Sequence, residues 1–157
     1  MKPLIVLLVT FLSALLVTRL IHKSWQISLS ARIAMSVMLV FTAMGHFIYQ
    51  EGMSLMIPNI IPAKKLIVFT TGILEILFAI AIQVNSIKQP AGWLIIAFFI
   101  LITPANIYAA IKQVNYQTGN FDGEGLSYLW FRIPLQLIFI AWVYCATIKP
   151  GLLDQQN

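Results

Sequence analysis

A long apolar run with one carboxylate near its middle constrains this chain more than any other feature. In residues 66–84, Glu75 is the single charged side chain. An apolar run of about 20 residues is long enough to cross a bilayer as a helix. A carboxylate at that depth costs about 2.5–3.5 kcal/mol even on the lenient insertion scales, and it normally faces the bundle interior with a partner. The sequence therefore predicts polar partners for Glu75 on other spans.

Composition points to an integral membrane protein. The chain is 60% hydrophobic and only 10% charged, whereas a soluble domain of this size needs more polar and charged residues to cover its surface. We therefore predict one helical membrane domain covering residues 1–157, with the lipid bilayer as its surroundings. The ten lysine and arginine residues are scattered along the chain, which argues against a nucleic-acid interface. Cys145 is the only cysteine, so no intramolecular disulfide or dithiol pair can form.

Five apolar segments have the length of a membrane span: residues 3–21, 31–49, 66–84, 91–111 and 128–148. The first is predicted to be a retained span, because Arg19, His22 and Lys23 follow it in place of a small-residue cleavage site. A sixth apolar piece, Gln50–Lys65, is too short to cross and is broken by two prolines. An interfacial or re-entrant segment fits it best.

Five crossings would place the chain ends on opposite sides, here named side A, where the chain starts, and side B. Tyrosine and tryptophan fall near the expected interfaces in this threading, as these residues prefer. The basic residues divide evenly between the sides. Arg19 and Lys23 behind the first span outnumber Lys2 before it, which favours side B as the cytoplasmic side.

Polar side chains from four spans fall between mid-membrane and side A. With a rise of 1.5 Å per residue, the depths from side A are about 5 Å for His46, about 15 Å for Glu75, about 8 Å for Asn106, about 6 Å for Arg132 and about 12 Å for Gln136. The side B halves of these helices carry almost nothing comparable, so we expect one shared site. In that site Arg132 should donate to Glu75 and keep it ionised, while the amides and the histidine fill the remaining hydrogen-bonding positions.

Three other residues are predicted to shape the bundle around this site. Gly72 lies one turn from Glu75 on the same face, which lets another helix or a ligand approach closely. Pro104 should kink the fourth span and re-aim Asn106, and Pro134 is a shape residue of the fifth. The two long side A connections, residues 50–65 and 112–127, could form a lid. One intramembrane histidine and one carboxylate do not furnish a metal site, so no metal is predicted.

Four short motifs occur in order at these positions: Gly45-His46-Phe47, Gly72-Ile-Leu-Glu75, Pro104-Ala-Asn-Ile-Tyr108 and Arg132-Ile-Pro-Leu-Gln136. With the order of the helices and the Pro58–Pro62 spacing, they resemble the DoxX-like membrane proteins over about Arg32–Trp142. The resemblance implies an all-α membrane bundle in a bacterial inner membrane. Its core would have four helices, and the first span would be an addition to that core.

The resemblance also implies activities. DoxX-like proteins are associated with membrane redox chemistry, including sulfur-compound oxidation that feeds quinones, and others with oxidative-stress complexes or the assembly of membrane partners. Some related proteins use cysteine pairs, from which this chain departs with its lone Cys145. It also lacks haem, flavin and iron–sulfur signatures, so a redox role would involve a bound quinone-like molecule rather than a cofactor of its own.

Our leading hypothesis is a side A pocket that binds a small amphipathic ligand, quinone- or lipid-like. Its ligand-binding residues would be His46, Glu75, Asn106, Arg132 and Gln136. The alternative is an assembly or scaffold subunit for a membrane-protein partner, in which the polar cluster only rigidifies the bundle. Transport of protons or solutes would need polar groups reaching both sides, and the polar-poor side B halves argue against it. Enzymatic activity and oligomeric state stay open.

Overall fold

The chain folds into a bundle of α-helices, in a computed structural model that describes residues 2–154. Its elements are α1 Lys2–His22, α2 Ile27–Ile48, α3 Gln50–Leu55, α4 Lys64–Ala81, α5 Lys88–Ile111, α6 Ser127–Val143 and α7 Gly151–Asp154. A π-helical turn, Tyr144–Ile148, continues α6. Within the described range the β-type pairing is limited to an isolated bridge between Asn115 and Asn120. The predicted all-α class is confirmed.

Four helices are long and apolar enough to cross a membrane: α1, α2, α5, and α6 with its π-helical continuation. The helix around Glu75, α4, has 18 residues, of which Lys64, Lys65 and Glu75 are charged. The helix boundaries lie within a few residues of the predicted ones. The largest difference is that α2 begins at Ile27 rather than near residue 31, which places Arg32 inside the helix instead of at its entrance.

Helix α2 is the centre of the packing, because it lies against α1 on one side and α4 on the other, while α5 pairs with α6. Toward side B, α2 also meets α6, where the indole Nε1 of Trp142 donates to the Ala31 carbonyl at 3.0 Å. Phe11 of α1 contacts the same indole edge-on, with ring centroids 5.0 Å apart. The most completely buried large apolar side chains are Leu7, Met35, Met38, Leu39, Ile82, Ile95 and Val143.

Helices α2 and α4 approach each other closely at Gly72, where the sequence predicts a close approach by a helix or a ligand. A Cβ atom at this position would lie 2.9 Å from the Cβ of His46 and 3.2 Å from the Cζ of Phe47. Contacts shorter than about 3.5 Å between carbon atoms are repulsive. The missing side chain of Gly72 therefore sets the distance between the two helices beside Glu75.

The two predicted shape prolines lie inside helices, Pro104 in α5 and Pro134 in α6. A proline offers no N–H to the carbonyl one turn earlier. Near Pro104, side chains add bonds to the backbone of the preceding turn: the hydroxyl of Thr103 donates to the Phe99 carbonyl at 3.1 Å, and Nε2 of Gln136 donates to the same oxygen. Gln136 thus ties α6 to α5.

Candidate functional site

A cavity of about 500 Å³ lies in the side A half of the bundle. Its lining includes all five predicted site residues: His46, Glu75, Asn106, Arg132 and Gln136. They come from α2, α4, α5 and α6, and the start of α1 adds Lys2 and Pro3 to the lining. The structure therefore brings the five residues together around one space, and their role in binding stays a prediction.

Glu75 lies at the inner wall of this cavity, and its partner is His46. The carboxyl Oε1 lies 3.7 Å from Nε2 of the imidazole, and the side chains are 5% and 19% exposed respectively. On its other edge the ring contacts α4 through Nδ1, which lies 3.1 Å from the Val68 carbonyl and 3.0 Å from the hydroxyl of Thr71. His46 is therefore held from both sides by α4, across the close approach at Gly72.

The predicted ion pair between Arg132 and Glu75 is wrong. Within residues 2–154 the basic groups that lie within 4.0 Å of a carboxylate are the imidazole of His46, beside Glu75, and the ammonium of Lys65, beside Glu51. The guanidinium of Arg132 instead donates to the hydroxyl of Tyr128 and lies over its ring, 5.2 Å from the centroid. Side chains on a helix lean toward its N-terminus, which in α6 is the side A end. Arg132 therefore extends toward the membrane surface, away from the deeper Glu75.

Of the two amides predicted to bind a ligand, Gln136 already has a protein partner. Its Nε2 bond to the Phe99 carbonyl is internal, and its side-chain oxygen remains an acceptor at the cavity wall. Asn106 follows Pro104 by two residues, is 6% exposed and lines the cavity from α5. The two amides thus add hydrogen-bonding capacity to the same wall region.

Apolar side chains form most of the remaining cavity wall. They are contributed by α2, α5 and α6: Met38, Phe41, Met44, Phe99, Ile102, Phe131, Leu135 and Phe139. A few polar groups among apolar walls, in a volume of several hundred Å³, are typical of small-molecule sites. The arrangement suits a molecule with a polar head and an apolar body.

The two long side A connections meet over the cavity. Gly52 of α3 lies so close to Tyr116 that a Cβ on the glycine would overlap the tyrosine backbone. The rings of Tyr49 and Tyr116 pack edge to face at 6.0 Å, and burial raises the pKa of the Tyr116 hydroxyl. Met53, Met56, Tyr116 and Gln117 from these connections line the cavity. Opening or closing of this cover stays a prediction.

The side B half of α2 and the end of α4 with its following turn are more polar than the sequence predicts. The hydroxyl of Ser36 donates to the Ala79 carbonyl at 2.7 Å and accepts from Nε2 of Gln83 at 2.6 Å. Arg32 is 8% exposed, and it donates to Oδ1 of Asn85 at 3.2 Å. The expectation of an almost apolar side B half is therefore wrong. The signal available in the sequence is the spacing of four between Arg32 and Ser36, which puts both on one face of α2.

Metal-binding side chains do not gather anywhere in the described part of the chain, where no group of three or more histidine, cysteine, aspartate or glutamate residues is close enough to hold an ion. His46 and Glu75 offer two ligands, fewer than a protein usually supplies to zinc. Cys145 is a free, half-buried thiol in the π-helical turn, at the opposite end of α6 from Arg132.

A comparison with protein-family models identifies the family. The model described as a domain of unknown function, DUF8561, matches residues 35–147. This match covers more than half of the chain, and the protein belongs to that family. All five predicted site residues lie within the matched range, whereas α1 lies before it. No curated protein and no solved structure matches the chain.

Proposed function

We propose that this protein is a DoxX-like, five-span protein of a bacterial inner membrane, and that its side A cavity binds a small amphipathic ligand, quinone- or lipid-like. In this role it would be an accessory to membrane redox chemistry, alone or with a membrane-protein partner. The observation that carries the proposal is the cavity of about 500 Å³, around which four helices place five polar side chains predicted from the sequence.

The fifth crossing would be α4. Its 18 residues extend about 27 Å at 1.5 Å per residue, close to the roughly 30 Å of a hydrocarbon core. Its two lysines occupy the first turn, where their side chains reach the membrane surface. Glu75 faces α2 rather than lipid and is 4% exposed. The three charged side chains that distinguish α4 from the four apolar helices are therefore compatible with a membrane crossing.

The cavity walls support an amphipathic ligand. Arg132 and Lys2 are cationic donors on the side A part of the wall, and Asn106 offers both a donor and an acceptor. The apolar side chains of α2, α5 and α6 would surround a hydrocarbon or isoprenoid body. A quinone carbonyl or a lipid head group would accept hydrogen bonds from the cationic groups, which links both ligand types to the same residues.

The direct test is the ligand content of the protein released gently from its own membrane. Native mass spectrometry, with organic extraction of quinones and lipids, would be applied to the wild type, Glu75→Gln and Asn106→Ala. We expect a bound molecule in the wild type and a lower content in both variants. Thr70→Val is the matched control, because Thr70 is exposed on α4 and bonds only to the Ile67 carbonyl of its own helix. Equal ligand content in all four proteins would refute the pocket.

A scaffold role is the second candidate, and one observation favours it. Gln136 and His46 already bond to neighbouring helices through the carbonyls of Phe99 and Val68, so part of the cluster holds the bundle together without a ligand. Under this hypothesis Glu75→Gln would lower the detergent melting temperature and partner co-purification together. No small molecule would be present in the wild type.

A further inference from the structure

The guanidinium of Arg132 lies at the cavity wall without an acid beside it. Within residues 2–154 it forms no ion pair with a carboxylate, and its hydrogen bond goes to the hydroxyl of Tyr128. A guanidinium carries several N–H donors in a planar fork, so most of them have no acceptor in the described part of the chain. The side chain is half-buried, which limits how far water can replace the missing acceptor.

Two tyrosine hydroxyls line the same cavity as Arg132. The oxygen of Tyr128 accepts from the guanidinium, and that of Tyr116 accepts from Nε2 of Gln117 at 3.5 Å. Each hydroxyl therefore keeps its own proton to donate. Burial raises the pKa of the Tyr116 hydroxyl most, Tyr128 raises it further and the Arg132 cation lowers it. The three groups are thus within electrostatic reach of one another.

The side A end of the cavity carries positive charge. Lys2, at the start of α1, lines the cavity and has no carboxylate partner within residues 2–154. Among the acidic side chains of the same range, Glu75 alone contributes to the lining. It lies about 9 Å deeper than Arg132, since their depths from side A are about 15 Å and about 6 Å, and His46 lies beside its carboxyl. An anion at the side A end would therefore meet cations and donors before it meets an acid.

We propose that this end of the cavity binds the acidic head of an amphiphile, a carboxylate or a phosphate, through the guanidinium of Arg132 and the hydroxyls of Tyr116 and Tyr128. The inference rests on the proposed function and narrows its ligand class, because a neutral quinone head leaves the cations without a counter-charge. The guanidinium fork matches two oxygens of either acid, and such charge-assisted bonds are roughly twice as strong as neutral ones. The apolar wall contributed by α2, α5 and α6 receives the tail.

Three probes of matched chain length test the head group: dodecanoate, dodecyl phosphate and dodecanol. Equilibrium binding to the full-length protein is measured in a neutral maltoside detergent, with empty micelles as the reference. A mildly alkaline pH keeps both acids ionised. We expect the tighter of the two acids to bind the wild type at least about tenfold more tightly than dodecanol. Which acid is tighter indicates whether the natural head is the carboxylate of a free fatty acid or the phosphate of a phospholipid.

Three variants assign the preference for an acid to Arg132. Arg132→Gln removes the cation and should abolish most of the preference. Arg132→Lys keeps the charge without the fork and should lie between Arg132→Gln and the wild type. Lys112→Gln is the matched control, because Lys112 is an exposed side A cation at the end of α5 that is not part of the cavity lining. Its preference should equal that of the wild type.

Equal binding of the acids and dodecanol to the wild type would overturn the inference while leaving an amphiphile pocket in place. A preference that survives in Arg132→Gln, or that falls equally in Lys112→Gln, would overturn it too, since general surface charge or another group would then be its source. Absence of binding by all three probes would overturn the proposed function as well.

Discussion

Replacing Gly72 by alanine should separate α2 from α4 and loosen the site. The new Cβ would lie 2.9 Å from the Cβ of His46, and relief of this overlap to an ordinary contact of about 3.8 Å requires a shift of about 0.9 Å. His46 and Glu75 are 3.7 Å apart and lie on the two helices that move. The same shift would carry their separation past the range of a direct ion pair.

The energetic cost follows from two opposing effects. Overpacking of a tight contact typically costs about 1–3 kcal/mol, whereas alanine in a helix interior is favoured over glycine by up to about 1 kcal/mol. Gly72→Ala should therefore be destabilised by roughly 0–2 kcal/mol after both effects. Gly45→Ala is the matched control, because its Cβ would lie 3.5 Å from the flexible end of Met53. The Gly45→Ala protein should be as stable as the wild type or more stable.

Thermal unfolding in a mild detergent compares the stability of the two variants, and equilibrium binding of an amphiphile such as dodecanol reports on the site. We expect Gly72→Ala to unfold at a lower temperature than Gly45→Ala and to bind more weakly. If Gly72→Ala were as stable as Gly45→Ala and bound the probe like the wild type, the close approach of α2 and α4 would not position the His46–Glu75 pair.

Three further perturbations test other parts of the structure. Ser36→Ala removes the hydrogen bonds that join α2 to Ala79 of α4 and to Gln83 in the turn after α4, and chemical unfolding in detergent should show a loss of about 0.6–1.7 kcal/mol; no loss would mean that these bonds do not hold the two elements together. Lys65→Ala breaks an ion pair whose side chains are 59% and 77% exposed, so the same assay should show a change below about 1 kcal/mol, shrinking with salt. Burial raises the pKa of Tyr116 from its ordinary 10.0, so the unfolded chain releases this proton first and stability should fall as the pH rises above about 10. Tyr116→Phe should weaken that alkaline loss in melting curves, and an unchanged curve would contradict the burial.

The sequence located the site better than it assigned the contacts. Depth along each span is a property of one helix, since the rise per residue is constant, and it was enough to place His46, Glu75 and Asn106 in the same half of the bundle. The partner of Glu75 depends on the direction in which each side chain leaves its helix and on the rotation of that helix in the bundle. Depth alone contains neither direction, and it therefore favoured Arg132 over His46 as the partner of Glu75.

The polar contacts toward side B illustrate the same limit. Ser36 in α2 and Gln83 in the turn after α4 carry no signal of a contact when read one at a time, and their bond exists only because α2 lies against α4. Arg32 was expected at a helix entrance, because helix starts are poorly defined by hydropathy. In the structure, α2 starts at Ile27 and buries the arginine beside the end of α4.

Sequence by itself determined that this chain is helical and apolar enough for a membrane. A chain with so few charged residues cannot cover a folded surface with polar groups, and in lipid its backbone N–H and C=O groups must hydrogen-bond to each other within helices. It also determined which polar residues lie between mid-membrane and side A. Tertiary structure alone decided that α2 and α4 touch at Gly72, that the carboxyl of Glu75 meets an imidazole, and that a cavity opens beside this pair. These depend on helix rotation and spacing, which are set by packing between residues distant in the chain.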